Sequence, residues 1–173
     1  MLVILKILQS IFKTLHSNGT PNQVAWGLVL GAGLGLIPMM TVQFALLFVA
    51  LVMINVSFGG GMLGWAIFTP VSFLLDPLFD AVGRYLLITR ADLTPFWTKV
   101  INLPLMPYTG MNNTVTLGAT LLWVVAIPLL YLGGRAGVRK YRATWGPKLE
   151  QSRWFKAIKA STVFNVYRWF VPE

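Results

Sequence analysis

Three residues spaced four apart, Asp76, Asp80 and Arg84, stand where a long uncharged stretch ends, and two amides, Gln43 and Asn55, stand inside it. At that spacing the carboxylates and the guanidinium share one helical face, where Asp80 and Arg84 can pair. Ionisable and amide groups in apolar surroundings are costly, so they turn inward and bind one another or a substrate. Two readings follow. One is a satisfied helix contact with an Asp80–Arg84 ion pair at the interface. The other is a polar lining, made of Gln43, Asn55, Asp76, Asp80 and Arg84, that accepts a headgroup, a proton or a partner's helix.

Catalysis finds little to work with. The chain has no Cys and a single His, His16, which excludes thiol chemistry and thiolate-bound metal and leaves zinc or haem without its usual ligands. Between Lys13 and Arg135 the acidic residues are Asp76, Asp80 and Asp92, from which no triad, metal cluster or phosphate loop can be assembled. Gly31, Gly33 and Gly35 superficially suit a nucleotide loop, but they lie inside an apolar helix with no strand before it. No catalytic residue, metal or cofactor is expected.

The elements around these residues follow from charge. From Lys13 to Asp76 there is no Asp, Glu, Lys or Arg, and the gap holds three apolar runs, 24–37, 41–58 and 62–75, separated by Pro or Gly. A soluble domain needs charge on its outer face, so this pattern predicts an integral membrane protein. A further run, 115–132, ends against Arg135, Arg139, Lys140 and Arg142. With 173 residues, 56% hydrophobic and 11% charged, the chain is at most one domain. The expectation is an all-α membrane bundle over 20–134 with about four short transmembrane helices, near 21–37, 41–58, 61–87 (kinked) and 114–134. Interfacial amphipathic helices flank it: one in 1–19, where Lys6, Gln9, Ser10 and Lys13 share a stripe, and one at 149–160 in the basic tail 135–173.

Local signals refine this. Thr20 can cap a helix that begins at Pro21, with Gln23 closing a capping box. Gly27, Gly31 and Gly35 recur on one face and predict close approach of another helix. From Thr20 to Ile37 is roughly 27 Å at ~1.5 Å per residue, slightly short of the ~30 Å hydrocarbon core. The two segments joined by Pro38-Met39-Met40 are therefore either a full-span hairpin or a re-entrant pair. Pro70 should kink the third helix, with Ser72 or a neighbour taking up the freed carbonyl. The net charge of +9 is concentrated in the tail, while 76–113 is nearly neutral. Positive charge favours the cytoplasmic side, which places both termini there and 76–113 outside. The aromatics interleaved with the basic tail suit a headgroup interface, and no nucleic-acid partner is expected.

The stretch Thr20-Pro21-Asn22-Gln23-Val24-Ala25-Trp26-Gly27, continued by repeated small residues to Pro38, resembles the start of a bacterial membrane family known as domain of unknown function twenty sixty-two. Leu63-Gly64-Trp65-Ala66 and Leu75-Asp76-Pro77-Leu78-Phe79, followed by Gly83 and Leu86, resemble its second half, with Asp76-Pro77 where Asn-Pro is common. Met111-Asn112-Asn113-Thr114 resembles an element of one subgroup. That resemblance implies a bacterial inner-membrane protein encoded beside a larger envelope protein, itself similar to long periplasmic bridges that carry lipid between membranes. It brings no catalytic residue. The function expected is a small inner-membrane subunit that docks such a periplasmic partner and assists phospholipid transfer. The rivals are an autonomous secondary transporter or flippase, and a structural membrane anchor. A transporter should contain a repeat, and 27–38 and 59–70 each run from Gly to Pro. Oligomeric state is left open.

Overall fold

The computed structural model describes residues 19–145, and these are helical with no strand among them. The amphipathic segments expected at 1–17 and 149–160 lie outside the described residues. Helix α1 (Pro21–Leu36) opens on the predicted capping box: the Thr20 hydroxyl accepts from the Gln23 N–H at 3.3 Å and the Gln23 carboxamide accepts from the Thr20 N–H at 2.8 Å. It stops at Ile37, which turns extended ahead of Pro38 because a residue before proline is pushed out of the helical region.

Helix α2 (Val42–Met53) starts where the Thr41 hydroxyl donates to the Pro38 carbonyl at 2.8 Å and accepts from the Phe44 N–H at 3.3 Å. It ends short of the expected position 58. The chain goes extended at Ile54 so that the Ser57 N–H can reach the Gln23 carbonyl at 3.0 Å. Ser57 then caps α3 (Phe58–Arg84), which contains Pro70 and Pro77 and runs on through a π-helical turn, Tyr85–Thr89. A short helix α4 (Thr94–Ile101) and a 3-10 turn (Met106–Thr109) lead to Gly110, whose φ of +62° is the left-handed conformation glycine tolerates. Asn113 caps α5 (Thr114–Lys140), which continues past the expected end at 134 into a second π-helical turn, Tyr141–Trp145.

Ser72 does not bond the carbonyl that Pro70 frees four residues earlier, at Ala66. Its hydroxyl donates to Thr69 and that of Thr69 donates to Trp65, each at 2.8 Å, so hydroxyls reinforce the turns on either side instead.

Glycines decide the packing. A Cβ at Gly27 would overlap the Ser57 carbonyl, one at Gly31 the Gly61 carbonyl, and one at Gly64 would stand 2.5 Å from the Leu28 carbonyl. Thus α1 and α3 run parallel, backbone against backbone. Helix α5 closes the other side of α1 in the opposite sense: the Trp123 indole donates to the Val29 carbonyl at 3.0 Å, and Gly134 lies beside Ala25 and Leu28. Helix α2 folds back with Leu51 over Gly61 and with Phe44 and Phe48 edge-on to Trp65. Enclosed in this way, α1 holds most of the core, and Val24, Ala25, Val29 and Ala32 have no exposed surface.

The exterior is the reverse. Phe73, Leu74, Val125, Leu129 and Met53 are each more than 70% exposed. Large apolar side chains outside and glycine and alanine inside suit a surrounding of acyl chains rather than water. Two helices, Phe58–Thr89 (32 residues) and Thr114–Thr144 (31 residues), are long and apolar enough to cross a membrane, while Val42–Met53 is a shorter apolar helix.

Candidate functional site: the polar groups of the bundle

The α3–α5 junction is built on two further glycines. A Cβ at Gly83 would overlap the Thr114 carbonyl and one at Gly118 the Phe79 carbonyl, so the end of α3 and the start of α5 touch through their backbones. Asp80 binds across this contact. It accepts from Arg84 Nη2 at 2.7 Å and Nε at 3.3 Å, one turn on, and from the Thr114 hydroxyl of α5. Its side chain is about one-third exposed and that of Arg84 is 60% exposed, so the pair sits at the rim of the bundle. The arrangement joins two helices.

Asp76, one turn earlier, is half-buried and makes no hydrogen bond or ion pair among the described residues. It precedes Pro77, which has no N–H to give. The three-residue ladder therefore divides into a paired end, Asp80 with Arg84, and an unpaired carboxylate.

Gln43 lies elsewhere, in the first turn of α2. Both polar atoms of its carboxamide are enclosed, with no partner among the described residues. Its level follows from its neighbours: the Thr41 and Thr116 methyls each lie 3.5 Å from a Cβ placed at Gly110, and Leu47 and Trp123 each lie 2.8 Å from one at Gly33. The starts of α2 and α5 thus both reach Gly110, and Gln43 lies two residues beyond Thr41 on that side. Asn55 is at the opposite end, where it accepts from Gln23 Nε2 at 3.0 Å and ties the 54–57 link to α1. Between Ser57 and Asp80, α3 rises roughly 35 Å at ~1.5 Å per residue. The five polar residues therefore do not share one cavity. Gln43, Asp76, Asp80 and Arg84 belong to the end near the α5 start, and Asn55 to the other.

Gly27, Gly31 and Gly35 do share a face, and that face is filled by α3: Gly35 lies against Phe68 and Thr69. No ligand groove remains along it. The spacing Gly60-x-x-x-Gly64 carried the matching signal on α3, whereas Gly83 and Gly118, isolated in sequence, carried none.

A second feature has no clear sequence signature. Between the π-helical turn after α3 and α4 lies an open groove of about 440 Å³. Leu87, Ile88, Trp97 and Ile101 form its apolar wall, with Thr98 and Asn102 along the polar side. The Trp97 indole N–H is enclosed and lacks an acceptor among the described residues. In the turn that precedes α4, Arg90 grips Asp92 through two bonds of 2.8 and 2.7 Å and also reaches the Tyr85 hydroxyl. The guanidinium's hydrogen bonds hold the Asp92 carboxyl below its ordinary range, and the same contacts push Arg90 further up. Among the described residues, no group of three or more His, Cys, Asp or Glu is placed to hold a metal ion.

No family model matches the chain. No solved structure matches it either. A protein of Treponema pallidum (strain Nichols), described as an uncharacterized protein, is 26% identical over 155 residues, which are 90% of this chain and 95% of the relative. The likeness therefore extends along nearly the whole of both chains.

Proposed function

We propose that the chain is a small inner-membrane subunit that docks a larger periplasmic envelope protein and helps phospholipid leave the bilayer toward it. The observation that carries this reading is the mismatch between neighbours on one bundle. Helices α3 and α5 are of membrane-crossing length, but α2 has 12 residues, about 18 Å against a ~30 Å hydrocarbon core. Its outer face, Leu46, Val49, Val52 and Met53, is exposed. An apolar surface that is too short draws the bilayer thinner around it, and a thinned bilayer holds its lipids less firmly.

In this reading α1 and α2 form a helical hairpin around which the bilayer is thinned, giving four segments with both termini cytoplasmic. The near-neutral 85–113 segment then faces the periplasm, where a partner would dock. The resemblance to the membrane family that accompanies an envelope protein points the same way. The autonomous-transporter reading has less to stand on: 27–38 and 59–70 lie parallel and backbone to backbone, which leaves no site between them.

The test is affinity purification of the full chain from its native membrane in mild detergent, followed by protein and lipid mass spectrometry. Recovery of one large envelope protein together with phospholipid, and detergent sensitivity of a deletion strain, is the expected result. Lipid scrambling by the chain alone in partner-free liposomes would make it a flippase. Recovery of the partner without lipid, with normal envelope lipid, would make it an anchor.

A further inference from the structure

We propose that the end of α5 holds an anionic phospholipid at the cytoplasmic surface, its phosphate gripped by the Nη groups of Arg135 and by Arg139. The site rests on the membrane-crossing part of the reading above, and not on the partner or on lipid transfer.

Helix α1 fixes where Arg135 stands. On α5, Tyr131, Gly134, Arg135, Val138 and Arg142 recur at helical spacing along one stripe. That stripe packs on α1 and the residue before its cap: the Tyr131 ring lies 4.9 Å from that of Trp26, Gly134 lies beside Ala25 and Leu28, and Arg142 Nη2 donates to the Gly19 carbonyl at 2.8 Å. Val138, on the same stripe, is 1% exposed. Arg135 is therefore half-buried on a helix seam rather than loose on the surface. Its Nε is enclosed, and the side chain makes no hydrogen bond or ion pair among the described residues. The two Nη groups are not enclosed, so a held guanidinium presents one flat edge outward. Two parallel N–H donors along that edge match two oxygens of a phosphate.

Charge and depth say which phosphate. Arg135, Arg139, Lys140 and Arg142 stand together, whereas the described carboxylates, Asp76, Asp80 and Asp92, lie toward the other end, where Asp80 binds Thr114. From Thr114 to Arg135, α5 rises roughly 32 Å at ~1.5 Å per residue, close to the ~30 Å hydrocarbon core. With Asp80 at one membrane surface, Arg135 is at the other. The Trp26–Tyr131 pair, one turn inside it, is of the kind that the headgroup boundary selects. A phosphate at this depth belongs to a lipid. Positive charge without a carboxylate beside it favours a headgroup of net negative charge over a zwitterion, which brings its own ammonium.

The experiment offers the purified full chain, stripped of lipid in mild detergent, equal amounts of phosphatidylglycerol and phosphatidylethanolamine with the same acyl chains. Native mass spectrometry counts the lipids retained. The expected result is a severalfold preference for phosphatidylglycerol. Arg135→Gln should abolish it and Arg139→Gln should reduce it, whereas Lys99→Gln, at an exposed cation of the 85–113 segment, should leave it intact. Arg135→Lys keeps the charge and loses the flat edge, so it should also lower the preference, and it keeps the test decisive if Arg135→Gln does not fold.

Equal retention of the two lipids by the parent overturns the site. So does a preference that survives undiminished in Arg135→Lys, or one that falls as far in Lys99→Gln, since either marks general attraction to a basic surface. Displacement of phosphatidylglycerol by millimolar inorganic phosphate would assign the arginines to a free anion and overturn the lipid. The measurement contains no partner, so each of these failures leaves the docking reading standing. Failure to recover a partner from native membranes, conversely, leaves this site standing.

Discussion

At the residue scale, Asp80 has three contacts and Asp76 has none, although both stand on one helical face. The difference lies in what the neighbouring helix presents. At Asp80 the start of α5 brings Thr114 within reach, and Gly83 and Gly118 let it come that close. Asp80→Ala should therefore lower thermal stability in detergent more than Arg84→Gln, because it loses the inter-helix bond as well as the ion pair. Thr114→Val should reproduce part of the loss. Equal melting temperatures for all three variants and the parent would show that the junction rests on the glycine contacts alone. Asp76→Asn should leave folding intact, since no bond is lost. Its effect in a complementation assay scored by detergent sensitivity then reports on partner or lipid docking, and full complementation removes Asp76 from consideration.

The Arg90–Asp92 pair gives a pH prediction. A carboxyl held below its ordinary value adds stability that is present above the unfolded pKa and is lost as pH falls through the folded one. The turn at 90–93 should keep constant hydrogen-exchange protection from neutral pH down to the ordinary carboxylate range and loosen only below it. Protection that fell instead between neutral and mildly acidic pH would contradict this. Since the pair is exposed, the change should stay local and weaken in high salt.

At the element scale, glycine makes the bundle possible, and the contacts sort glycines into two groups. Gly27, Gly31, Gly61, Gly64, Gly83 and Gly118 each meet backbone or a core side chain, so a methyl has nowhere to go. Gly31→Ala or Gly118→Ala should cost about 1–3 kcal/mol as helices are forced apart. Gly133 and Gly137 on α5 have no neighbour within contact distance among the described residues. There, alanine should be neutral or stabilise by up to about 1 kcal/mol through helix propensity. Thermal unfolding of the four single variants checks this, and similar destabilisation in all four would show that the α5 face is covered in the working protein.

At the scale of the whole molecule, the distribution of side chains is inverted relative to a water-soluble fold, and the charges lie beyond the apolar core. The four-segment arrangement predicts sidedness. In this Cys-free chain, cysteines placed singly at Ser17, Thr94 and Ser161 should react with a membrane-impermeant reagent from the periplasm only at Thr94. Labelling of Ser161 from that side would require an odd number of crossings and would overturn the four-segment arrangement.

Several features could be read from residues alone because their causes are local. The uncharged stretch specifies helices with apolar exteriors, and the Thr20, Pro21 and Gln23 sequence specifies where the first one starts, since a cap needs only the residues of one turn. The spacing of Gly27, Gly31 and Gly35 marks a face, and the four-residue interval of Asp80 and Arg84 marks a pair. What lies opposite each of these was decided by tertiary structure. The glycine face meets the α3 backbone, and Asp80 meets a threonine 34 positions away. Gln43 and Asn55, alike as polar residues in an apolar run, are separated to different ends of the bundle. The end of α2 at Met53 was equally hidden, because the extended link that follows it is held by Gln23 of another helix. The groove at Trp97 has the same origin: its walls come from the end of one helix and the whole of another, and no periodicity within either records that they face each other.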